Sequence, residues 1–493
     1  MQNRFELLPA ELVEQVLDEA FQLLDSPGVK VLGPEARELL ADAGAKIDQV
    51  NHVAHITENL ARQALSTVPN QFYLYDRNGN QVVQYGGNGV HFDPGSSGIN
   101  VLDPDTIEHR PAQTPDLVRL IQVAEMLPQY DAQSTAVVCT DVPKAMGDIY
   151  RLYLVLLYSN KPLVTGSFSV DTAGLMFDML ALVAGGRQAL AQRPLAIFDV
   201  CPSPPLTWTG FAAQNLIDLA RAEVPAEIVS MPLAGAAAPV TLLGSVVQHA
   251  AETLSGITIH QLAKPGSPIV WGGAPAIFDM RHGTTPMGAV ETAMLNVCNA
   301  QIGKSLGLPT HGYLGASEAK IVDAQAGLES GITALLGAMA GINMISGAGM
   351  LDFLASQSAE KLVVDAEAIA MAKRLLAGVK VRTDPLATAM FAGFDFKADF
   401  LKQKITRQLF AEEQHLSSPV IDRTSLRSWQ DRGRLDTFHR AKEQVEKLLD
   451  NYERPGWHAK IEGELQEMMA KIARNAGLDD LPELPGIPDK NHL

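Results

Sequence analysis

Residues 308–351 read LPTHGYLGASEAKIVDAQAGLESGITALLGAMAGINMISGAGML, and this stretch decides the fold because it predicts strand, polar loop, helix and strand in that order. The loop carries most of the chemistry: Ser317, Glu318, Lys320, Asp323 and Gln325. Apolar residues in the helix recur at a 3.6-residue period, which predicts one buried stripe of Leu328, Ile332, Leu335, Leu336 and Met339. A polar loop between the C-terminal end of a strand and the next helix is where (β/α)8 barrels keep their active sites.

The same alternation begins at about residue 115 and continues to this stretch. Predicted strands cover 133–140, 162–168, 195–201, 226–232, 268–272, 309–314 and 343–346. Predicted helices cover 116–126, 145–158, 171–184, 210–222, 239–262, 285–306 and 323–340. Strands that alternate with helices imply a parallel sheet, and seven or eight such units predict an α/β fold of the (β/α)8 TIM-barrel type. A doubly wound open sheet is the alternative, although no GxGxxG phosphate loop follows a strand.

The segments on either side of this region do not show the alternation of strands and helices. Residues 1–110 are predicted as an N-terminal cap with helices at 9–24, 34–44 and 57–66 and a β-hairpin that turns at Asn78-Gly79. A glycine-containing loop around His91 and Phe92 is predicted to cover the site. The barrel is expected at 111–360 and a C-terminal helical extension at 361–480, with helices at 361–377, 398–411, 436–451 and 459–474. A flexible, proline-rich tail is expected at 481–493.

Composition narrows the functional class. The chain has 493 residues, of which 46% are hydrophobic and 19% charged, and a formal net charge of −17, which argues against a nucleic-acid-binding surface. The three cysteines form no CxxC pair, so we expect buried thiols rather than disulfides or a zinc site. No signal peptide or membrane-spanning stretch is visible at this stage, so a cytoplasmic protein without a membrane partner is expected.

A series of short motifs, in order over residues 10–475, resembles the trimethylamine methyltransferase family. The motifs include SPGVKVLGPEARELLADAGAKID at 26–48, RPAQTPDLVRLIQVAEMLPQYD at 110–131, DAQAGLE at 323–329 and a WxxxGxxxxxxRA pattern at 429–441. The resemblance implies a TIM-barrel enzyme that takes a methyl group from a methylamine or a quaternary ammonium compound. It further implies that the methyl acceptor is the cobalt of a separate corrinoid protein, so that this chain binds no cofactor tightly.

Some family members contain pyrrolysine, whereas this chain contains only standard residues. It is therefore identified as a member of the branch without pyrrolysine, whose members are similar in demethylating quaternary amines such as glycine betaine. The residue that replaces pyrrolysine is expected within 310–316. A symmetric homo-oligomer is also expected, because closed symmetric assemblies are common among enzymes.

A quaternary ammonium carries its own leaving group, because loss of a methyl group releases a neutral tertiary amine. Catalysis then depends on positioning and charge rather than on an acid–base pair. Aromatic faces bind such cations. The aromatic candidates are Phe92, Trp208, Trp271 and Tyr313, with Phe168 and Phe278 as further possibilities, and ordinary core packing stays open for each.

The polar candidates divide by position. Glu318 and His311 are predicted as catalytic, although His311 also fits a satisfied core histidine. Asp323 and Gln325 are predicted to bind substrate; a helix N-cap and a loop lock formed with Glu329 are their structural alternatives. Arg281 is predicted to bind a substrate carboxylate, or else to lie in a solvated loop.

Two other functions remain open. Similar sequences often carry His-Asp where this chain has Ser346-Gly347, and His-Thr near Ile405-Thr406, so a ligand-binding protein without turnover is one alternative. A TIM-barrel lyase is the other, for which Lys320 would have to act as a Schiff-base lysine.

Overall fold

The computed structural model describes residues 4–394, 396 and 399–485, and its centre is a closed barrel of parallel strands. The eight barrel strands are β1 (His91–Pro94), β2 (Gln133–Ser134), β3 (Leu163–Thr165), β4 (Ala196–Val200), β5 (Ala226–Ser230), β6 (Ile269–Gly273), β7 (His311–Tyr313) and β8 (Met344–Ala348). Strands β2 to β6 pair in chain order, and β7 pairs with β8, which pairs with β1.

Two hydrogen-bonded joins close the barrel. Trp271 N donates to Pro309 O at 3.0 Å between β6 and the start of β7, and Asp131 N donates to Phe92 O at 2.8 Å between β1 and the segment entering β2. Because the sheet returns to its first strand, the predicted (β/α)8 barrel is confirmed and the open doubly wound sheet is excluded.

A helix follows each strand. These helices are α1 (Thr114–Met126), α2 (Gly147–Tyr158), α3 (Val170–Ala184), α4 (Gly210–Ala222), α5 (Leu242–Ala263), α6 (Val290–Ser305), α7 (Ala324–Ala340) and α8 (Ala359–Leu376). Several start at polar caps; Ser169, Thr209 and Ser358 each accept a hydrogen bond from a backbone N–H of the first turn. The local sequence therefore fixes where the helices start, just beyond the carboxyl ends of the strands.

The predicted buried stripe of α7 is wrong. Leu328 is 72% exposed and Ile332 is 50% exposed, whereas the buried face consists of small residues: Ala326, Ser330, Thr333, Ala334, Gly337, Ala338 and Ala340. Gly337 shows why, because a Cβ there would lie 2.8 Å from a Leu314 side-chain carbon. The helix approaches β7 and β8 too closely for leucine, so Leu328 and Ile332 face outward, while Leu335 and Leu336 are only half-buried at the edge of the core.

The N-terminal segment closes one end of the barrel. It contains helices Ala10–Asp25, Pro34–Asp42 and Glu58–Leu65, short strands Val29–Val31, Lys46–Asp48 and Val53–His55, and a hairpin of Phe72–Tyr75 and Gln81–Tyr85. Three hairpin side chains, Leu74, Val83 and Tyr85, are fully buried. They pack against residues at or near the starts of barrel strands: Ala132, Val164, Ile197, Val270 and Met344. The N-terminal end is thus filled by side chains, and the site must lie at the opposite end.

Some element limits differ from the predictions. Strand β1 lies inside the range predicted as cap, so His91 and Phe92 belong to the barrel wall and not to a covering loop. The predicted strand at 133–140 is regular only at Gln133–Ser134. The extension contains helices Lys404–Glu413, Leu426–Asp431, Thr437–Asp450 and Ala459–Asn475, of which the first starts later than predicted.

Part of the predicted tail is packed onto the protein, because Tyr158 Oη donates to Pro485 O at 2.6 Å. The rest of that prediction, residues 486–493, lies outside the described residues. Within the described ranges, no helix combines the length and the apolarity needed to cross a bilayer.

Candidate functional site

A layer of polar side chains crosses the interior of the barrel. Asp93 comes from β1, Asp199 from β4, Glu227 from β5, His311 from β7 and Ser346 from β8. Alternate residues of a strand point to the same face, which is how single polar residues in apolar strands meet inside. We call the carboxyl groups of Asp93, Asp199 and Glu227 the acidic cluster.

A continuous chain of contacts links these groups. Ser346 Oγ donates to Asp93 Oδ1 at 2.6 Å and lies 3.1 Å from His311 Nε2. Because the serine proton is committed to Asp93, His311 Nε2 donates to Ser346, which leaves Nδ1 as an acceptor 3.3 Å from Glu227 Oε1. Tyr85 Oη completes the chain by donating to Glu227 Oε2 at 3.1 Å.

Burial dominates the electrostatics of this layer. It raises the pKa of Asp93, Asp199 and Glu227 above the ordinary carboxyl range, and the neighbouring carboxyls raise that of Glu227 further. Burial also lowers the pKa of His311 to about 3, so its imidazole is neutral at neutral pH. Asp93 Oδ2 and Asp199 Oδ1 have no hydrogen-bond partner, and within the described residues no lysine or arginine pairs with the cluster. The layer is therefore short of positive charge.

An apolar collar lies above the acidic cluster at the C-terminal mouth. Its buried members are Val229, Ala274, Ala276, Met287, Tyr313, Ala316 and Met350, with Cys201, Leu233 and Leu354 packed against them. The Tyr313 hydroxyl accepts a hydrogen bond from Ser96 N at 2.8 Å, and its ring meets that of His311 edge to face with centroids 6.0 Å apart. Asp199 and Cys201 are partly buried, whereas Asp93 and Glu227 are fully buried.

The polar loop after β7 is anchored rather than free. Glu318 Oε1 accepts from Gly288 N at 2.6 Å, and burial raises the pKa of this carboxyl. Glu329 Oε2 accepts from Ser317 Oγ at 2.5 Å and from Glu318 N at 3.0 Å. Lys320 Nζ contacts Asp352 Oδ1 at 3.0 Å, and its side chain is 55% exposed. A solvated, ion-paired lysine does not fit the Schiff-base role that a lyase requires.

The two predicted tryptophans lie outside the barrel interior. Trp208 is fully buried in a short strand beside the N-terminal cap, where its Nε1 donates to Ser255 Oγ of α5 at 2.8 Å. Trp271 lies on β6 and its ring faces α6. The evidence is Gly303 of that helix, where an added Cβ would lie 2.7 Å from the Trp271 ring. Both side chains fill the helical layer and do not meet His311 and Tyr313.

The other substrate-binding candidates are also separated from the acidic cluster. Phe92 points outward from β1, with Lys373 Nζ 5.7 Å from its ring centroid. Asp323 caps α7 by accepting from Ala326 N at 3.1 Å. Gln325 donates to Glu329 Oε1 at 2.9 Å, and Arg281 is 82% exposed and pairs with Asp279. The structure thus brings His311 and Tyr313 together, with Glu318 in the adjoining loop.

The backbone at Ser346-Gly347 does not suit the His-Asp pair that similar sequences often carry there. Ser346 contributes the hydroxyl that links Asp93 and His311. Gly347 has φ +138°, and a Cβ there would lie 2.6 Å from Leu314 O, so an aspartate would require a different local backbone. Ile405 lies on helix Lys404–Glu413, no residue of which is buried.

The sequence analysis did not single out the three carboxyl residues Asp93, Asp199 and Glu227, nor the buried Arg151 of α2. The first three had a usable signal, because each is a single acidic residue in or beside an apolar strand of a barrel whose strands are buried on both faces. Arg151 had a weaker one, since it interrupts the otherwise apolar run IYRLYLVLLY of α2. Across the described residues, no group of three or more His, Cys, Asp or Glu side chains is placed to hold a metal ion.

The fold and the site define a (β/α)8-barrel protein with a cluster of carboxyl groups in its interior beneath an apolar mouth. The chain belongs to the trimethylamine methyltransferase (MTTB) family, which it matches over residues 1–477, and it is a methyltransferase. This confirms the resemblance inferred from the motifs.

Individual relatives support the assignment. The chain is 32% identical over 446 residues to the trimethylamine methyltransferase MttB of Methanosarcina thermophila, covering 88% of this chain and 90% of that protein. It is 25% identical over 476 residues to the glycine betaine methyltransferase of Desulfitobacterium hafniense (strain Y51), covering 96% and 98%. The crystal structure of the Methanosarcina barkeri monomethylamine methyltransferase is similar in fold, with a TM-score of 0.53, 13% identity and coverage of 90% and 89%.

Proposed function

We propose that this protein transfers a methyl group from a quaternary ammonium compound to the Co(I) centre of a corrinoid held by a separate protein. The observation that carries the proposal is the acidic cluster, whose three carboxyl groups converge beneath the mouth with no lysine or arginine of the described chain paired to them. A bound cation supplies the missing charge, and desolvated charges interact more strongly than charges in water.

The groups around the cluster suit a cation that cannot donate hydrogen bonds. Tyr313 and His311 offer ring surfaces, and the apolar collar accommodates methyl groups. His311 is neutral at neutral pH and so adds no positive charge that would compete with a cation bound over the carboxyl groups. The relatives named for trimethylamine and glycine betaine support a methylated nitrogen as the methyl donor.

The chemistry balances without an acid or base from this chain. The carbon–nitrogen bond breaks with its electron pair going to nitrogen, which leaves as a neutral tertiary amine. The corrinoid of the partner supplies the nucleophilic electron pair that forms the new bond to the methyl carbon. The residues of this chain hold the cation and exclude water, which agrees with a neutral His311 whose Nε2 is hydrogen-bonded to Ser346.

An absorbance assay tests the proposal. The purified chain is mixed with chemically reduced Co(I) cobalamin and, separately, glycine betaine, proline betaine, carnitine, γ-butyrobetaine, choline or tetramethylammonium. The expected result is loss of the Co(I) band with growth of methylcobalamin for at least one amine, and no change without protein. If no amine reacts when corrinoid proteins are also supplied, while calorimetry detects amine binding, the proposal is overturned in favour of a ligand-binding protein. The partner's identity and the homo-oligomeric state stay predictions.

A further inference from the structure

Arg151 is a buried cation that forms no ion pair with an acidic side chain of the described residues. It lies on α2 and has no exposed surface. Its Nη1 donates to Ser97 Oγ at 3.0 Å and to Thr135 O at 2.9 Å, next to the ends of β1 and β2. Its Nε and Nη2 have no hydrogen-bond partner. An unpaired buried charge is strongly destabilising, so its retention here needs a reason.

The charge of Asp148 favours the ionised form of Arg151, but the carboxylate of Asp148 is hydrogen-bonded to other groups. Asp148 uses Oδ2 to accept from Phe168 N at 2.7 Å and from Thr172 Oγ1 at 2.5 Å, and Oδ1 to accept from Ile149 N at 2.8 Å. In the described part of the chain no acidic side chain forms an ion pair with the guanidinium. Burial lowers the pKa of Arg151 to about 10, so the group still carries its charge at neutral pH.

The free donors of Arg151 have the geometry of a carboxylate receptor. Nε and Nη2 form one edge of the guanidinium, and their N–H bonds point in parallel. That edge matches the two oxygens of a carboxylate, which forms paired hydrogen bonds with arginine. A lysine in this place would offer a point charge without the matching fork.

The position of Arg151 relates it to the proposed amine site. Ser97 accepts its hydrogen bond, and the preceding residue, Ser96, binds the hydroxyl of Tyr313. The Arg151 guanidinium and the Tyr313 ring therefore flank the same two-residue segment at the barrel mouth. Phe168, which is 50% exposed, covers the guanidinium with its ring centroid 4.6 Å from Cζ.

We propose that Arg151 is a specificity-determining residue that binds the carboxylate of a zwitterionic substrate through Nε and Nη2, while the quaternary ammonium of that substrate lies over the acidic cluster. Phe168 moves aside when the carboxylate binds. This inference rests on the proposed function for the ammonium position. It adds that cations without a carboxylate are poor ligands, because they leave the Arg151 charge uncompensated.

Equilibrium binding tests the inference without requiring turnover. Glycine betaine and choline form a matched pair of probes, because both carry a trimethylammonium group and only the first has a carboxylate; γ-butyrobetaine covers a longer spacing. Calorimetry with the full chain is expected to give a dissociation constant at least about tenfold lower for a carboxylated amine than for choline. In Arg151→Met that ratio is expected to fall to within about twofold of unity, and Arg151→Lys is expected to lie between.

Two further variants keep the test decisive. Arg187→Met removes an arginine whose side chain is 58% exposed, and its binding ratio is expected to match that of the wild type. Phe168→Ala removes the covering ring at a half-exposed position and is expected to tighten binding of the carboxylated amine by about 3- to 30-fold, with no such effect on choline. If Arg151→Met does not fold, the wild-type ratio and Phe168→Ala decide.

The outcomes separate this inference from the proposed function. Equal wild-type affinity for choline and the carboxylated amines overturns the inference, as does a folded Arg151→Met protein with an unchanged ratio. Arg151-dependent binding of a betaine without methyl transfer supports the inference and overturns the proposed function. Methyl transfer from choline or tetramethylammonium at a rate that Arg151→Met leaves unchanged supports the proposed function and overturns the inference.

Discussion

Ser346 Oγ and Asp93 Oδ1 lie 2.6 Å apart although 253 positions separate them in the chain. The hydrogen bond joins the last barrel strand to the first and connects Asp93 to His311 through the same hydroxyl. The seam at which the barrel closes is therefore also part of the candidate site.

Removing this hydroxyl is expected to affect both stability and function. Ser346→Ala leaves Asp93 Oδ1 and His311 Nε2 without their partner, and we expect the free energy of unfolding to fall by about 1–3 kcal/mol. Ser245→Ala is the control, because that serine is equally buried and its hydroxyl has no partner. Urea titration of both variants measures the difference, and equal losses would contradict the linking role of Ser346.

Neutralising the acidic cluster is expected to weaken cation binding. Glu227→Gln keeps the shape of the side chain and its contact with Tyr85 but removes a potential negative charge, as Asp199→Asn does on β4. We expect each change to raise the dissociation constant for tetramethylammonium about tenfold or more. The exposed Glu14→Gln on helix Ala10–Asp25 is the matched control. Calorimetric titration checks the prediction, and wild-type affinity in both cluster variants would refute it.

Cation binding is expected to strengthen as the pH rises from 5 to 8. The raised pKa values of Asp93, Asp199 and Glu227 keep protons on these carboxyls above the usual range near pH 4. A quaternary cation favours their ionised forms, so binding releases protons and the affinity rises with pH, by about 10- to 100-fold over this range. His311, with its pKa at about 3, does not titrate there. Titrations in buffers of different ionisation enthalpy measure the released protons, and a pH-independent affinity would contradict the prediction.

The anchor of the loop after β7 can be tested separately from charge. Glu329→Ala removes the acceptor of Ser317 Oγ and Glu318 N, and the resulting misplacement of the loop is expected to lower methyl transfer by about 10- to 100-fold. Gln325→Ala is the control, since that side chain contacts only Glu329 and is exposed. The measurement is the initial rate of methyl transfer with whichever amine of the absorbance assay reacts fastest. Similar rates for the two variants would show that the anchor by Glu329 is dispensable.

A buried ion pair supports the segment after β8. Lys361 Nζ lies 2.6 Å from Asp365 Oδ2, which also accepts from Gly349 N at 2.7 Å, and the lysine side chain is fully buried. Lys361→Met leaves an unpaired buried carboxylate, so we expect a loss of about 3–5 kcal/mol in the free energy of unfolding. The double variant Lys361→Met/Asp365→Leu is expected to lose less, because it removes both charges. A double variant less stable than Lys361→Met would contradict this account in denaturant titrations.

The repeating pattern of strands and helices carried the fold prediction. Strand β5 and helix α4 lie within a few residues of their predicted limits, because each is a continuous apolar or amphipathic segment bounded by turn residues. Strand β1 was missed, since His91–Pro94 has one apolar aromatic residue between two polar ones, ends in proline and pairs with a strand distant in sequence. The stripe of α7 was misassigned because hydrophobic periodicity cannot reveal that the neighbouring strands require small residues.

The site was predicted less completely than the fold. His311 and Tyr313 followed from the alternation of β7, which places both inside the barrel. The aromatic candidates Trp208 and Trp271 were chosen for proximity to strand ends, but the direction of a side chain depends on register, which one strand alone does not determine. Asp199, Glu227 and Arg151 come from three different elements, and only the folded structure shows which groups lie near each of them.

The filled N-terminal end has a kinetic consequence. With Leu74, Val83 and Tyr85 occupying that end, the proposed function requires the amine and the corrinoid protein to approach from the opposite end of the barrel. A protein bound over the mouth of the barrel blocks release of a small molecule from the interior until that protein dissociates. On the proposed function we therefore expect the amine to bind before the corrinoid protein, and an excess of that protein to slow turnover by delaying release of the demethylated amine.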